Sequence, residues 1–590
     1  MMLWTLYEDD NIKGECCYMT KFIYPSTLLC DFYKVSHRVQ YPENTQVIYS
    51  TFTPRSNKYF PVADKVVFFG LQAFLKKYLI EHFNTYFFRR SKQDVLDEYE
   101  RYIHYTLGEE NPDTTHIKEL WELGYLPLEI RALKEGTLAP IKVPVLTVEN
   151  TDDRFFWVTN YIETILSTQI WQPMTSATIA YQYKKLLDEY ALNTVGNTDG
   201  VQFQGHDFSM RGMSSLESAQ LSGAGHLLSF TGTDTIPAIM FHEEFYKANI
   251  ENELVGTSIP ATEHSVMCAY GNTNEFDLFK RLITQIYPNG LFSVVSDTWD
   301  FWKVVGEYLP KLKDEIMERD GRVVIRPDSG DPVDILCGKH FTDLTDDKWV
   351  KSLEDAKDTF YEMMMEDLRD RTPHGEYGES RITDRFKYDG KYYVMVIDVE
   401  YNRYDKQYYF IEEDRLKKFE EFEPTLQDLG LIECLWNIFG GTITEKGYKL
   451  LDTHIGAIYG DSITLERARK IVHRLEQKGF ASLNVVFGIG SFTYQYNTRD
   501  TFGFACKATY AVVNGEERML FKDPKTDDGT KKSQRGRVHV HYNHEEKITF
   551  VDGLKKGQMV KTPDLLEVVF RNSELVREQS LSEIRELLHN

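Results

Sequence analysis

The chain has 590 residues, including 36 Tyr and 36 Phe, and a formal net charge of -23 at pH 7. That length exceeds one ordinary core and calls for at least two folding units, while the acidic balance excludes a general nucleic-acid or anionic-membrane surface, which needs a positive field over a wide face. No apolar run reaches the length of a membrane span, and the seven cysteines, odd in number and never spaced as a zinc knuckle or redox pair, read as the reduced thiols of a cytoplasm, a host's if the gene is viral.

Residues 1–20 lack periodicity and read as an extension, or as residues upstream of a true start at Met19. From Val66, VVFFG reads as a strand and LQAFLKKYLIEHF as a helix. The stretch PLEIRALKEGTLAPIKVPVLTVEN from Pro127 reads as hairpins turning at Gly136 and Pro140. Residues 21–150 together with 500–590 are expected to form a mixed α+β sheet domain.

Beyond Arg154 the texture becomes α/β. Helices FWVTNYIETILSTQIW and IAYQYKKLLDEYAL alternate with strand candidates LFSVVSD from Leu291, RVVIRPDSG from Arg322, HIGAIYGD from His454 and NVVFGIG from Asn484. Each strand candidate ends in Asp, Gly or Ser. Such residues can be simple turn formers, but four together suit an irregular α/β barrel over 151–499, whose strand carboxyl ends converge on one mouth. Residues 333–427 break the pattern and read as an inserted subdomain. It comprises a helix over 346–371, with Trp349, Leu353, Ala356, Phe360 and Leu368 on one face, and a hairpin turning at Asp389 and Gly390.

The candidate chemistry lies at those ends. In RPDSGDP, Arg326 can neutralise a phosphate while Asp328 accepts from sugar hydroxyls; a plain Arg–Asp ion pair is the alternative. Glycines in IYGDSI and VFGIGSF let backbone N–H groups approach a phosphate, or merely form tight turns. In SIPATEHS, His264 follows Glu263 and is a candidate base, ligand or phosphoryl acceptor, roles that a single His often lacks. Arg499, Lys507, Lys522, Lys531, Lys532, Arg535 and Arg537 supply local positive charge, or a solvated loop.

In order and spacing, DFYKVSH (31–37), HDFSMRG (206–212), GTDT (232–235), PATEHS (260–265), SVVSD (293–297), IRPDSG (325–330), GDS (460–462) and TRD…CK (498–507) resemble the nicotinamide phosphoribosyltransferases of the type II phosphoribosyltransferase family. The resemblance runs from about Lys21 to the C-terminus, apart from the insertion. It implies transfer of phosphoribosyl from 5-phosphoribosyl 1-pyrophosphate to nicotinamide in NAD salvage, with ATP as co-substrate and Mg2+ held mainly through pyrophosphate rather than by a protein metal site. It also implies a homodimer with shared sites, Phe208 and the second subunit's Tyr33 sandwiching the pyridine while Asp234 and Arg326 take its amide. Asp31, Arg211, Asp328, Gly460 and Asp461 fall on ribose and phosphate positions. Gly490, Ser491, Arg499, Lys507, Lys522 and Lys531 fall on the phosphate grip and its entrance. His264 falls on the histidine that ATP phosphorylates, with Glu263 and Asp297 beside it. The chain departs from the pattern at Ser491, where a second Gly is frequent, at Ala505, where a Ser can occur, at Ser209 and Met210, which are less typical, and most of all in the insertion. A nicotinate phosphoribosyltransferase, or a non-catalytic binding protein of the same fold, remains the alternative.

Overall fold

The computed structural model describes residues 24–345, 347–370, 380–402, 404, 407–409, 416–460, 462–522 and 534–590. The expected extension and two of the expected site residues, Asp461 and Lys531, lie outside them. The chain divides into two compact units, residues 1–174 with 498–590, and residues 175–497.

The first unit is built on a seven-stranded antiparallel sheet. Its order is Glu516–Met519, Ala505–Val513, Thr45–Thr53, Leu146–Asn150, Leu128–Ala132, Glu567–Arg571 and Glu574–Leu575. Thr45–Thr53 is buried at almost every residue, as expected of a strand covered on both faces. The unit extends to Met174 rather than ending at 150, because Phe155, Trp157, Leu166, Ile170 and Met174 pack into the same core as Phe52, Phe68 and Ile130. The two helices expected before Leu192 are largely one, Glu163–Thr194, which carries Pro173 within it.

The second unit is an irregular barrel of parallel strands: β1 Gly205–Asp207, β2 Gly232–Thr233, β3 Phe292–Val295, β4 Val323–Arg326, β5 Ile455–Tyr459 and β6 Val485–Ile489. They pair in the order β2-β1-β6-β5-β4-β3. An extended segment closes the ring, since Thr257 bridges Gly232 on one sheet edge and Ala261 bridges Ser293 on the other. The four strands expected from sequence are all present. β1, β2 and the closing segment were not anticipated, being too short to show a period.

The insertion has its own core, in which Ala356, Phe360, Met364 and Leu368 of helix Leu353–Asp370 pack on Phe386, Tyr393, Met395 and Ile397. Trp349 and Leu353, expected on that apolar face, are both exposed: Trp349 precedes the helix and is 77% exposed, and Leu353 is the first residue of the helix. The hairpin Arg381–Tyr388/Lys391–Asp398 turns at Asp389 and Gly390, both at positive φ, the geometry that matches strand twist in a two-residue turn. The ends of the insertion lie side by side, Lys339 N donating to Asp428 O at 2.9 Å. Lys478, past the end of the helix after β5, donates to the carbonyls of Cys337 and Leu429, both at 2.7 Å. The insertion therefore leaves the barrel at the amino-terminal end of its strands.

Candidate active site

The carboxyl ends of all six barrel strands carry expected site residues. Phe208 and Arg211 follow β1, Asp234 follows β2, Asp297 follows β3, Arg326 ends β4 with Asp328 beyond it, Gly460 follows β5, and Gly490 and Ser491 follow β6. His264 opens the short helix after the closing segment. A Cβ on Gly460 would lie 2.7 Å from Asp328 Oδ1, and one on Gly488 would lie 2.7 Å from the Phe208 ring. At Gly488 the Tyr459 carbonyl is equally close, so only glycine fits, whereas at Gly460 a side chain would have to displace the Asp328 carboxylate.

Asp234 is held as an acceptor. His206 Nε2 lies 2.9 Å and the Ser258 hydroxyl 2.6 Å from the same oxygen, Oδ1, while the carboxylate remains 48% exposed. Burial would raise its pKa, but the bonds from His206 and Ser258 outweigh that and hold it below the usual carboxylate value. The His206 and Phe208 ring centroids sit 4.5 Å apart with the planes tilted by 45°, so Phe208 adjoins the residue that orients Asp234. Arg326 donates to the Thr262 carbonyl; burial lowers its pKa, with Asp328 and Asp234 opposing.

Around His264 the carboxylates cluster. Nε2 lies 3.9 Å from Asp297 Oδ1 and 3.8 Å from Asp328 Oδ2, and Nδ1 lies 3.1 Å from the Thr298 hydroxyl. Asp297 Oδ2 accepts from Asp328 N at 2.9 Å and from the Ser329 hydroxyl at 2.5 Å, which binds two strand ends together. Glu263, expected to orient the imidazole, instead accepts from Ser265. Thr298 is the polar contact on Nδ1. His206, Ser258, Thr298 and Ser329 had no assigned role in the sequence, although His206, Ser258 and Ser329 stand inside the quoted motifs, because their contacts appear only when strand ends meet.

Below these residues a cavity of about 1050 Å³ runs the length of the barrel, from Phe208, Asp234 and Arg326 at the carboxyl ends to Phe203, Arg322 and His454 at the amino ends. Inward positions of a small barrel are ordinarily filled by bulky side chains; Gly232, Ser293 and Gly456 leave this one open.

The remaining expected residues belong to the first unit. Tyr33 is 57% exposed, and Lys34 beside it is buried in an ion pair with Glu163. Asp31 accepts from the Thr164 hydroxyl at 2.9 Å. Arg499 and Lys507 are exposed, as is Lys522. Arg537, counted among the candidate cations, is occupied within this unit: it pairs with Glu149 and sits 4.8 Å over the Tyr49 ring.

Glycine turns, a doubly hydrogen-bonded carboxylate and a histidine between two carboxylates thus meet at one barrel mouth, and the family comparison identifies the class as phosphoribosyl-transferring. The chain belongs to the nicotinate phosphoribosyltransferase (NAPRTase) family, whose model matches residues 203–362 and 398–573. It is accordingly a glycosyltransferase. Residues 26–101 match the nicotinamide phosphoribosyltransferase N-terminal domain. A protein of Acinetobacter baylyi named nicotinamide phosphoribosyltransferase is 44% identical over 95% of this chain and 96% of its own length. Proteins of the same name from Mycoplasma pneumoniae (32% identical, 86% of this chain and 94% of theirs) and Xanthomonas campestris (29%, 94% and 96%) are also similar. Among the described residues no helix is long and apolar enough to cross a membrane.

Proposed function

We propose that this enzyme transfers the phosphoribosyl group of 5-phosphoribosyl 1-pyrophosphate to nicotinamide, yielding nicotinamide mononucleotide and pyrophosphate in cytoplasmic NAD salvage. The observation that carries this reading is the Asp234 carboxylate, whose Oδ1 is engaged by His206 and Ser258 while Oδ2 makes neither bond. An ionised carboxylate can only accept, so it suits the amide NH2 of nicotinamide and repels the carboxylate of nicotinate. Arg326 is the complementary donor for the amide oxygen, and Phe208 offers the stacking face.

The glycosidic transfer passes through an oxocarbenium-like state: the C1–pyrophosphate bond breaks with its electron pair leaving on oxygen, and the pyridine nitrogen supplies the pair for the new bond. Asp328 is the carboxylate for the ribose, and Arg211, Gly460 and Gly490 are the nearby phosphate contacts in this unit. Asp297 Oδ1, buried without a hydrogen-bond partner, and Asp328 offer hard oxygens to Mg2+. The ion would be held chiefly on pyrophosphate, whose leaving charge it would neutralise.

His264 is read as the acceptor of the ATP γ-phosphoryl group. ADP leaves, and water later cleaves the phosphohistidine to phosphate, drawing the transfer forward. A homodimer, in which Tyr33 of one copy closes the pyridine slot of the other, completes the reading; the exposure of Tyr33 supports it. The test is a mass-spectrometric product assay with equimolar nicotinamide and nicotinate, with and without ATP. Nicotinamide mononucleotide is expected to dominate and to rise with ATP. Equal or greater formation of the nicotinate product would reject the assignment.

A further inference from the structure

A buried polar chain lies behind the site and is used by no step above. Tyr494, the last residue of the turn that begins with Gly490 and Ser491, is 1% exposed, and its hydroxyl sits 2.7 Å from His226 Nδ1. His226 is fully buried at the end of helix Leu216–His226, and its Nε2 sits 3.0 Å from the Gly232 carbonyl at the start of β2. A carbonyl oxygen can only accept, so Nε2 carries the proton, Nδ1 is the acceptor, and the Tyr494 hydroxyl donates to it. The direction of the whole chain is thereby fixed.

The Gly232 peptide is gripped from its other side as well. It pairs with His206 across the β1–β2 ladder, and a Cβ at position 232 would lie 2.8 Å from His206 Nδ1. Two residues on, Asp234 N donates to Asp207 O at 3.0 Å, and Asp234 accepts from His206. Movement of the Gly232 peptide would displace both members of the His206–Asp234 pair. At the other end, the Gly490–Gln495 turn is stitched to the Arg211 loop: Ser214 N donates to Gln495 Oε1 at 2.9 Å, and a Cβ on Gly212 would collide with Ser491 Oγ.

We infer that Tyr494 and His226 are positioning residues. They form a relay that joins the phosphate-side turn to the carboxamide-recognising pair, so that the two halves of the substrate pocket are held in one register. The inference rests on the proposed role of Asp234. Both polar groups are removed from water, so deleting one partner leaves the other unpaired and frees the peptide it held.

The experiment is amide hydrogen exchange by mass spectrometry on the full chain, comparing wild type with Tyr494→Phe, which removes the first bond of the relay, and with His226→Phe, which removes both; if one variant fails to fold, the other carries the test. Severing the relay is expected to speed exchange by about tenfold in the peptides covering 231–236 and 490–496 together, with the Thr45–Thr53 strand unchanged. In Tyr494→Phe the preference for nicotinamide over nicotinate, as a ratio of kcat/KM, should also fall by roughly threefold or more although Tyr494 touches neither ligand. Faster exchange confined to 490–496, or spread evenly over the chain, would overturn the relay. Exchange reads it whether or not the wild type is active, so a wild type inert toward both pyridines would reject the functional reading and leave the relay to be judged separately.

Discussion

His264 and Thr298 are hydrogen-bonding neighbours, with Nδ1 3.1 Å from the hydroxyl, and this leaves Nε2 facing Asp297 and Asp328. One ring nitrogen is thus set by a neutral partner and the other by two carboxylates. His264→Ala should abolish ATP hydrolysis and its coupling while weak basal transfer persists. Thr298→Val should reduce ATP stimulation by roughly tenfold with a smaller effect on ATP-independent transfer. Coupled ADP release and product formation, measured in parallel, check both; full ATP stimulation in His264→Ala would reject the phosphohistidine role.

Asp234→Asn retains the shape of the side chain but removes its charge and gives it a donor. Nicotinamide selectivity should fall by roughly tenfold or more, with a smaller change in turnover. Competition between the two pyridines measures it, and unchanged selectivity would reject the amide role.

Two buried imidazoles make the fold sensitive to acid. Burial pushes His116 in the first unit and His226 in the second down from the usual 6.5 to about 4. Both stay neutral in the native state while the unfolded chain protonates them below pH 6.5, so the unfolded state binds more protons between pH 6.5 and 4. Their contribution is fully present above pH 6.5 and is lost as pH falls toward 4, on the order of 3 kcal/mol per imidazole. Urea midpoints across that range should fall with pH; a flat profile from pH 7 to 5 would contradict the assignment.

The insertion should be dispensable for catalysis. Its core is its own, its ends are adjacent, and it leaves the barrel at the end opposite His264. Replacing residues 341–424 by a short Gly/Ser link should preserve folding and leave kcat/KM within about threefold, since closing a short loop between adjacent ends costs little. Loss of activity in a folded variant would assign the insertion a part in the reaction.

Much of the barrel was legible because β3 to β6 are runs of apolar and small residues ending in Asp, Gly or Ser, and their ends carry Asp297, Asp328, Gly460 and Gly490. Length set the limit. β1 and β2 span three and two residues, so neither could display an alternation, although Phe208 and Asp234 just beyond them were identified through the motif resemblance. The support of those residues was not legible at all. Ser258 reaches Asp234 only because the closing segment bridges both sheet edges, and Thr298 reaches His264 only where that segment passes β3. Trp349 was misassigned because an apolar residue one turn before a helix shares its spacing without sharing its burial.

The most direct measurement is a crystal structure of the nicotinamide complex. The pyridine should stack on Phe208 with its amide nitrogen within hydrogen-bonding distance of Asp234 and its amide oxygen toward Arg326. A ring bound elsewhere, or an amide that leaves Asp234 unengaged, would contradict the account.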